Sequence, residues 1–280
     1  MNTITNNILK TINTTKYYHI FYNNTANRKY NIKLLVDSIV FILKFGVSYR
    51  SFIELLEFAN MENNNNKLPS TTTIYNFYNK LKKYNIIHTT YNNLVNKYIN
   101  KHKTNKFITD TTFINNKMGI DYINYNKQIP KHKVSKISLI TDLNGIPLDI
   151  NLSSGNTNDS KIFFNQLDNF ININAIKKNN KNIFVGDAAY DSNNIRNKLK
   201  DLNLGILVVP KNKRNIKDIN ILASHKLNIK NKNLLKNRYK IEFTNNRLKQ
   251  YKRINIRYDK FGVNYFNYVY LAAIDLIAKD

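Results

Sequence analysis

Three acidic residues in the second part of the chain have the types and surroundings suited to metal-dependent phosphodiester chemistry. Asp110 lies within the short β-rich run KFITDTTFI, where an acidic side chain is costly unless it is paired or metal-bound. Asp187 ends the buried-type run NIFVGDAAYD, and ligands bind at the carboxyl ends of strands in α/β sheets. Glu242 is the only glutamate after Glu62. Carboxylates from three such places can hold two Mg²⁺ or Mn²⁺ ions roughly 3.5–4 Å apart. One ion would activate the attacking oxygen, and the other would stabilise the leaving oxygen.

Two basic residues accompany the glutamate. Arg238, Glu242 and Lys249 stand at i, i+4 and i+11, which places all three on one face of a helix. The two cations could clamp a phosphate beside the carboxylate. Taken singly, each aspartate also fits an ordinary turn or cap, and the glutamate fits a solvated ion pair. Asp191 is expected to cap the next helix or its turn, so it is not assigned to the metals.

The composition indicates a polyanionic partner. The chain has 280 residues, 42% of them hydrophobic, and a formal net charge of +26. Such a basic excess is typical of nucleic-acid binding. A membrane surface is the rival partner, but no run approaches the ~20 apolar residues that span a bilayer. The frequent Asn, Lys, Ile and Tyr also fit AT-rich codons, which weakens the charge argument. We therefore expect DNA binding without a membrane partner.

The location of the protein can also be predicted from the sequence. The N-terminus, MNTITNNILK, lacks the charged start and apolar core of a signal peptide. There are no cysteines, so disulfides and thiolate zinc sites are excluded. We expect an intracellular, DNA-associated protein that is not secreted.

The first part of the chain is predicted to be helical. NIKLLVDSIVFILKFG, SYRSFIELLEFA, TTTIYNFYNKLKKYN and TYNNLVNKYINKH have helical patterns, and MENNNNKLP reads as a loop. Short helices with a basic third member favour a helix-turn-helix DNA reader over residues 1–103, although a plain helical packing domain fits the spacing equally well. The candidate DNA contacts on the third helix are Thr72, Thr73, Tyr75, Asn76, Asn79 and Lys80.

Residues 104–280 are predicted to form an α/β domain. The order is three strands, helix, strand, helix, strand and helix, which matches a ribonuclease-H-like arrangement. The Asn-Gly pair between KHKVSKISLITD and NGIPLDINLSSG predicts a hairpin. LLKNRYKIEFTNNRLKQYKRI is expected to be one long basic helix. From residue 205 to 260 there are 16 lysines and arginines against three acids, a local surface that suits DNA.

Four segments together resemble a known family. TDTTF, SLITDLNGIPLDINLSSGNTNDS, GDAAYDS and RYKIEFTNNRLKQYKRINIRYDK are similar to the DDE transposases of bacterial insertion sequences, of the IS-four/IS-five type, over roughly residues 30 to 275. In that family the glutamate motif is Tyr-x2-Arg-x3-Glu-x6-Lys. Arg238, Glu242 and Lys249 fit it, whereas Leu235 occupies the tyrosine position.

The resemblance implies an activity and partners. It implies a transposase that binds terminal inverted repeats, cleaves at Asp110, Asp187 and Glu242 and joins the 3′-hydroxyl to target DNA, as a homodimer or larger complex. It implies that Asp159 organises the active-site surround, and that the stretch with Arg253, Arg257, Tyr258 and Lys260 contacts DNA. Two alternatives remain: a ribonuclease-H-like nuclease without strand transfer, and a non-catalytic, domesticated DNA-binding protein.

Overall fold

The computed structural model describes residues 3–22, 30–60, 68–173, 176–178, 181–210 and 232–279. Most of the loop predicted at MENNNNKLP, and residues 211–231 of the basic segment, lie outside these ranges. The chain forms two compact units. The first contains residues 1–94, 248–258 and 263–280, and the second contains residues 95–247 and 259–262. The predicted domain boundary between residues 103 and 104 lies near residues 94–95, where the chain first passes from the first unit to the second. A single boundary does not describe the whole division, because residues 248–258 and 263–280 belong to the first unit again.

The first unit is helical. Its third helix begins where the Asn31 side chain accepts the Lys33 N–H, and it ends at Gly46, whose φ of 69° suits a left-handed C-cap. A side chain at Gly46 would also meet Lys252, since its Cβ would lie 2.8 Å from that of Lys252. The helices are α1 (Thr3–Thr14), α2 (Tyr18–Tyr22), α3 (Ile32–Phe45), α4 (Tyr49–Asn60), α5 (Thr71–Lys83) and α6 (Ile86–His102), the last of which continues into the second unit.

The connection that precedes α5, the helix predicted to read DNA, differs from that of a helix-turn-helix motif. The tight, glycine-containing turn joins α3 to α4, from residue 46 to 48, whereas ten residues separate α4 from α5. The helix-turn-helix motif uses a turn of about 3–4 residues. The helix predicted to read DNA, α5, is capped by the Ser70 side chain, which accepts the Thr73 N–H at 3.2 Å.

The second unit contains a mixed sheet of the predicted type. Its strands are β1 (Lys106–Asn116), β2 (Asn124–Asn126), β3 (Ile129–Asp142), β4 (Pro147–Ser154), β5 (Ile183–Val185) and β6 (Ile206–Val208). The order across the sheet is β4, β3, β1, β5 and β6, with β2 beside the other end of β3. β3 is antiparallel to both β1 and β4, and β1, β5 and β6 are mutually parallel. This topology confirms the ribonuclease-H-like α/β fold.

Helices of the second unit follow the strands as predicted, with one correction. α7 (Asp159–Phe170) follows β4, and α8 (Asn193–Asp201) lies between β5 and β6. The single long basic helix expected near the C-terminus was wrong. It is divided into α9 (Lys232–Lys236), α10 (Tyr239–Gln250) and α11 (Lys252–Asn255), with a turn at 237–238 and an extended cap residue at Tyr251. The short strand β7 (Ile256–Arg257) and α12 (Gly262–Ile277) complete the chain.

The hairpin turn between β3 and β4 holds α10 in place. Asp142 accepts the N–H groups of Asn144 and Ile146, both at 2.9 Å, which closes the turn. Gly145 adopts a φ of +81°, and its carbonyl accepts the buried Thr244 hydroxyl of α10 at 2.5 Å. A Cβ at Gly145 would lie 2.7 Å from that hydroxyl oxygen. The turn glycine therefore permits both the hairpin and the close approach of the helix that carries Glu242.

Candidate active site

Of the predicted acids, Asp110 lies within β1, and Asp187 lies just after the neighbouring parallel strand β5. In the register of β1 and β5, Ile108 is opposite Val185, so Asp110 and Asp187 each follow this pair by two residues. Residues in register on parallel strands lie side by side, roughly 4.8 Å apart between strands. The charge of Asp187 also acts on Asp110, so the two carboxylates lie near each other beyond the end of β5, and their assignment to a metal stays a prediction.

The environment of Asp110 opposes its ionisation. Burial raises the pKa of the Asp110 carboxyl to about 6, and the nearby carboxylates of Asp187 and Asp159 act in the same direction. A backbone hydrogen bond with Thr111 and the Arg238 guanidinium lower this pKa. A buried acid among other acids is relieved either by a proton or by a cation. The donor chemistry of this corner of the sheet thus fits a divalent ion.

Asp187 has a second, structural contact. It follows the end of β5 by two residues and caps a 3₁₀ turn (Ala188–Tyr190), in which its carboxylate accepts the Ala189 N–H at 2.8 Å. One carboxylate oxygen is thereby oriented by the backbone. The interpretation of Asp187 as an ordinary turn residue is therefore compatible with its assignment to a metal.

Glu242 is placed differently from the two aspartates. It lies in the first turn of α10, and its side chain is 59% exposed. Arg238 precedes the helix in a turn, and its guanidinium lies 4.0 Å from the Glu242 carboxylate. Arg238 acts on Asp110 electrostatically, whereas Glu242 is not among the groups that shift the pKa of Asp110. Within the described ranges, no three acidic or histidine side chains are grouped closely enough to hold a metal ion.

Lys249 is the second cation of the predicted motif. It follows Glu242 by seven residues on α10, which is close to two helical turns. The side chain is half-buried, and burial lowers the pKa of the Lys249 ammonium. The helix bounds include Glu242 and Lys249, whereas Arg238, which the spacing predicted on the same helix face, lies in the turn before the helix.

Asp159 is held by a lysine that the sequence reasoning missed. The Lys136 ammonium, only 6% exposed, lies 2.6 Å from the Asp159 carboxylate and donates to the Thr157 carbonyl at 2.8 Å. Lys136 belongs to β3, opposite Phe113 of β1. The one sequence signal that could have revealed this contact is a lysine within the apolar strand run VSKISLI, because a buried ammonium group needs a partner.

Tyr190 lies near Asp110, Asp159 and Asp187, which together form the acidic corner. It is fully buried, and burial together with the charges of Asp110, Asp159 and Asp187 raises the pKa of its hydroxyl well above the usual value. Its ring lies against Phe163 with centroids 5.6 Å apart. A Cβ at Gly186 would lie 2.9 Å from that ring, so glycine is required where the strand passes the tyrosine. Asp191, next in sequence, is paired with Arg196 at 2.8 Å.

The predicted DNA contacts on α5 divide into exposed and engaged residues. Thr72, Tyr75 and Asn76 are exposed on one face, opposite the buried Ile74, Phe77, Tyr78 and Leu81. Thr73 is half-buried beside its cap Ser70. The Lys80 ammonium donates to the Ile20 carbonyl and lies over the Phe21 ring, so it is engaged within the unit. Lys83, which was not predicted, is exposed on the same side as Asn76 and Thr72 by helical spacing.

The two arginines expected to contact DNA after α10 are buried, which corrects that expectation. Arg257 is 0% exposed, and its guanidinium lies over the Tyr265 ring. Arg253 is 8% exposed, donates to the Val47 carbonyl at 3.3 Å and lies over the Tyr268 ring. Guanidinium groups commonly stack on aromatic rings, so both arginines act in packing. Tyr258 and Lys260 in the same stretch are exposed.

Comparisons with known proteins identify the chain's relatives. A family model described as a transposase DDE domain matches residues 101–274. No curated protein matches the chain. The solved structures similar to it include a pre-cleavage Mos1 transpososome (12% identity, 82% of this chain and 79% of that chain, TM-score 0.28) and the catalytic domain of Mos1 mariner transposase (14%, 58% and 89%, 0.27). A third is a Mos1 mariner paired-end complex with Mn (11%, 81% and 81%, 0.28). No described helix is long and apolar enough to cross a bilayer.

Proposed function

The chain belongs to the family of proteins that contain a transposase DDE domain, and from this premise we propose that Asp110, Asp187 and Glu242 are its catalytic acids. The protein is a DDE transposase, an enzyme that uses metal ions to cleave DNA and to transfer the cut strand. The observation that supports the residue assignment is the placement of Asp110 within β1 and of Asp187 two residues after the adjacent parallel strand β5. The charge of Asp187 contributes to the raised pKa of Asp110, which also supports a shared site.

The proposed cofactor is a pair of Mg²⁺ or Mn²⁺ ions. Asp110 and Asp187 would hold them, with Glu242 as the third ligand. When bound, such ions activate the attacking oxygen and stabilise the leaving oxygen. The raised pKa of Asp110 supports this role, because burial first and the neighbouring carboxylates second disfavour its uncompensated charge, which a bound cation would neutralise.

Each neighbouring residue has a distinct proposed role. Glu242 is exposed and lies 4.0 Å from Arg238, a separation at which an ion pair is weak. Its flexible side chain can therefore leave Arg238 and turn toward the aspartates when metal and DNA are present. Arg238, which already acts on Asp110, would then bind the scissile phosphate. Lys249 would contact a phosphate farther along the strand.

The proposed partners are the terminal inverted repeats of the element and a target DNA, bound by a homodimer or larger complex. Exposed Thr72, Tyr75 and Asn76 of α5 support binding of the repeats, since they form a polar helix face that can enter a major groove. The domain roles follow: the helices before residue 103 bind the ends, and the α/β domain performs the chemistry.

Cleavage and strand transfer test this assignment separately. Wild-type protein and the Asp187→Ala variant would be incubated with paired element ends and Mg²⁺ or Mn²⁺. We expect wild type to nick and to join ends to a target plasmid, and the variant to do neither while it still binds DNA. Nicking without joining would support the nuclease alternative. Equal nicking by both proteins would refute the assignment of Asp187.

A further inference from the structure

A cavity lies at the opposite end of the sheet from the acidic corner. Its volume is about 360 Å³, and its apolar floor is formed by Ile99 and Phe107. Phe107 is near the start of β1, and Asn182, which also lines the cavity, immediately precedes β5. Since both strands begin here, Asp110 lies farther along β1, roughly 13 Å beyond Lys106 at about 3.3 Å per residue. Small ligands typically occupy cavities of this size or larger.

Three lysines line this cavity. They are Lys103, Lys177 and Lys181, and all three are exposed. The two segments that supply them, KHKTNK from residue 101 and KKNNKN from residue 177, contain no acidic residue. Further lysines at 101, 106 and 178 flank the cavity in sequence. The last carbonyls of α6 carry partial negative charge, but this is about half an elementary charge against three ammonium groups. The cavity therefore favours an anion.

The backbone around the lysines is fixed by polar contacts. Asn182 is only 2% exposed, and its side-chain amide donates to the Lys177 carbonyl at 2.9 Å. The Asn105 amide donates to the Lys181 carbonyl at 3.3 Å. Lys103 has a φ of 48°, and its N–H donates to the Ile99 carbonyl at 2.7 Å. Each of the three lysines thus extends from an anchored backbone, which makes the cavity a formed site.

From this arrangement we infer that the lysine cavity binds the phosphodiester backbone of a DNA segment other than the one being cleaved. The inference deepens the proposed function, on which it rests, by giving the transposase a second DNA contact. Lysine ammonium groups bind phosphate oxygens strongly, and each phosphate contact releases a counterion from DNA. A phosphate at this end of the sheet is too far from Asp110 and Asp187 to be the reacting group.

Two variants with the same charge change test the inference. The cavity variant combines Lys103→Gln, Lys177→Gln and Lys181→Gln in the full chain. The matched control combines Lys127→Gln, Lys131→Gln and Lys133→Gln, three exposed lysines of the same unit. Binding of a fluorescein-labelled duplex would be measured by anisotropy across a salt series. Thermal unfolding of both variants verifies that they fold.

The cavity variant is expected to lose more DNA affinity than the control. At moderate salt we expect a loss on the order of tenfold to hundredfold, and a salt-dependence slope that is smaller by about 2 to 3, since each contact contributes about 0.9. The control should change the slope by less than about 1. Equal losses in the two variants, or unchanged binding by the cavity variant, would overturn the inference.

Two further arms separate the ligand source and the proposed function. Stabilisation of wild type by pyrophosphate, with DNA affinity unchanged in the cavity variant, would indicate a free-anion site and overturn DNA binding there. Nicking with saturating DNA and Mn²⁺ reports the catalytic assignment independently. We expect wild type and the Lys127, Lys131 and Lys133 control to nick under those conditions. A wild type that does not nick would refute the catalytic proposal, while the salt slopes would still decide the cavity.

Discussion

Replacing Asp110 by asparagine should abolish cleavage and, at the same time, stabilise the metal-free protein at alkaline pH. The Asp110 pKa is about 6 instead of 3.8, because of burial first and then the neighbouring acids. The folded state therefore binds this proton more tightly than the unfolded state. Its stabilising contribution is complete below pH 3.8 and is lost as the pH rises through about 6.

The size of the effect follows from the same values. The difference between 3.8 and about 6 corresponds to at most ~3 kcal/mol, at 1.36 kcal/mol for each tenfold change in the dissociation constant. Partial exposure of Asp110 reduces this, so we expect Asp110→Asn to raise the free energy of unfolding by about 1–2 kcal/mol at pH 8. For a protein of this size, that is a rise of several degrees in Tm, on the order of 2–4 °C per kcal/mol.

Thermal unfolding with EDTA from pH 4 to pH 8 measures this directly. Asp201→Asn, at an exposed aspartate of the same unit, is the charge-matched control and should show little change. Added Mn²⁺ should stabilise wild type at pH 8 but not Asp110→Asn. The reasoning is refuted if the Asp110→Asn variant is no more stable than wild type at pH 8, or if its advantage does not shrink toward pH 4.

Three other substitutions test the surrounding structure. Glu242→Gln should reduce nicking by at least ~100-fold with a Tm within about 1 °C of wild type, because the side chain is exposed; a large loss of Tm would contradict this role. Gly186→Ala should lower the free energy of unfolding by about 1–3 kcal/mol in urea titration, since its Cβ would meet the Tyr190 ring, and an unchanged midpoint would argue against that contact. Thr244→Val should cost about 1 kcal/mol and slow cleavage, because α10 loses its hydrogen bond to Gly145, whereas a destabilised variant with unimpaired cleavage would show that this contact does not position Glu242.

Local sequence signals predicted the elements that local chemistry determines. The Asn-Gly pair specified the β3–β4 hairpin because few residues other than glycine adopt positive φ without strain. Asp110 and Asp187 were proposed because acids within or at the end of apolar strands need a reason to be there. The pairing of β1 with β5, beyond which these two acids lie, follows from the fold, which the order of elements predicted.

Features that depend on tertiary packing were not accessible from spacing. The turn before α10 contains Asn237 and Arg238 but no glycine or proline, so nothing local indicated a break in the helix. Arg253 and Arg257 were expected to contact DNA because their stretch resembles the family's segment after the catalytic helix, yet aromatic rings bury both guanidinium groups. The partner of Asp159, Lys136, is 23 residues earlier, and only pairing between strands brings it close.

The return of the C-terminal segments to the first unit affects how the protein is made on the ribosome. The Tyr78 hydroxyl donates to the Asn264 carbonyl at 2.6 Å, and the Tyr49 and Tyr268 hydroxyls lie 2.7 Å apart, so early helices await partners that are synthesised after most of the α/β unit. Domains generally fold as their residues emerge during synthesis. The α/β unit, nearly complete by residue 247, can therefore mature first, whereas the helical unit assembles only after residues 263–279 have emerged. A ribosome stalled near residue 260 would hold a nascent chain whose exposed N-terminal helices are a target for chaperones and proteases.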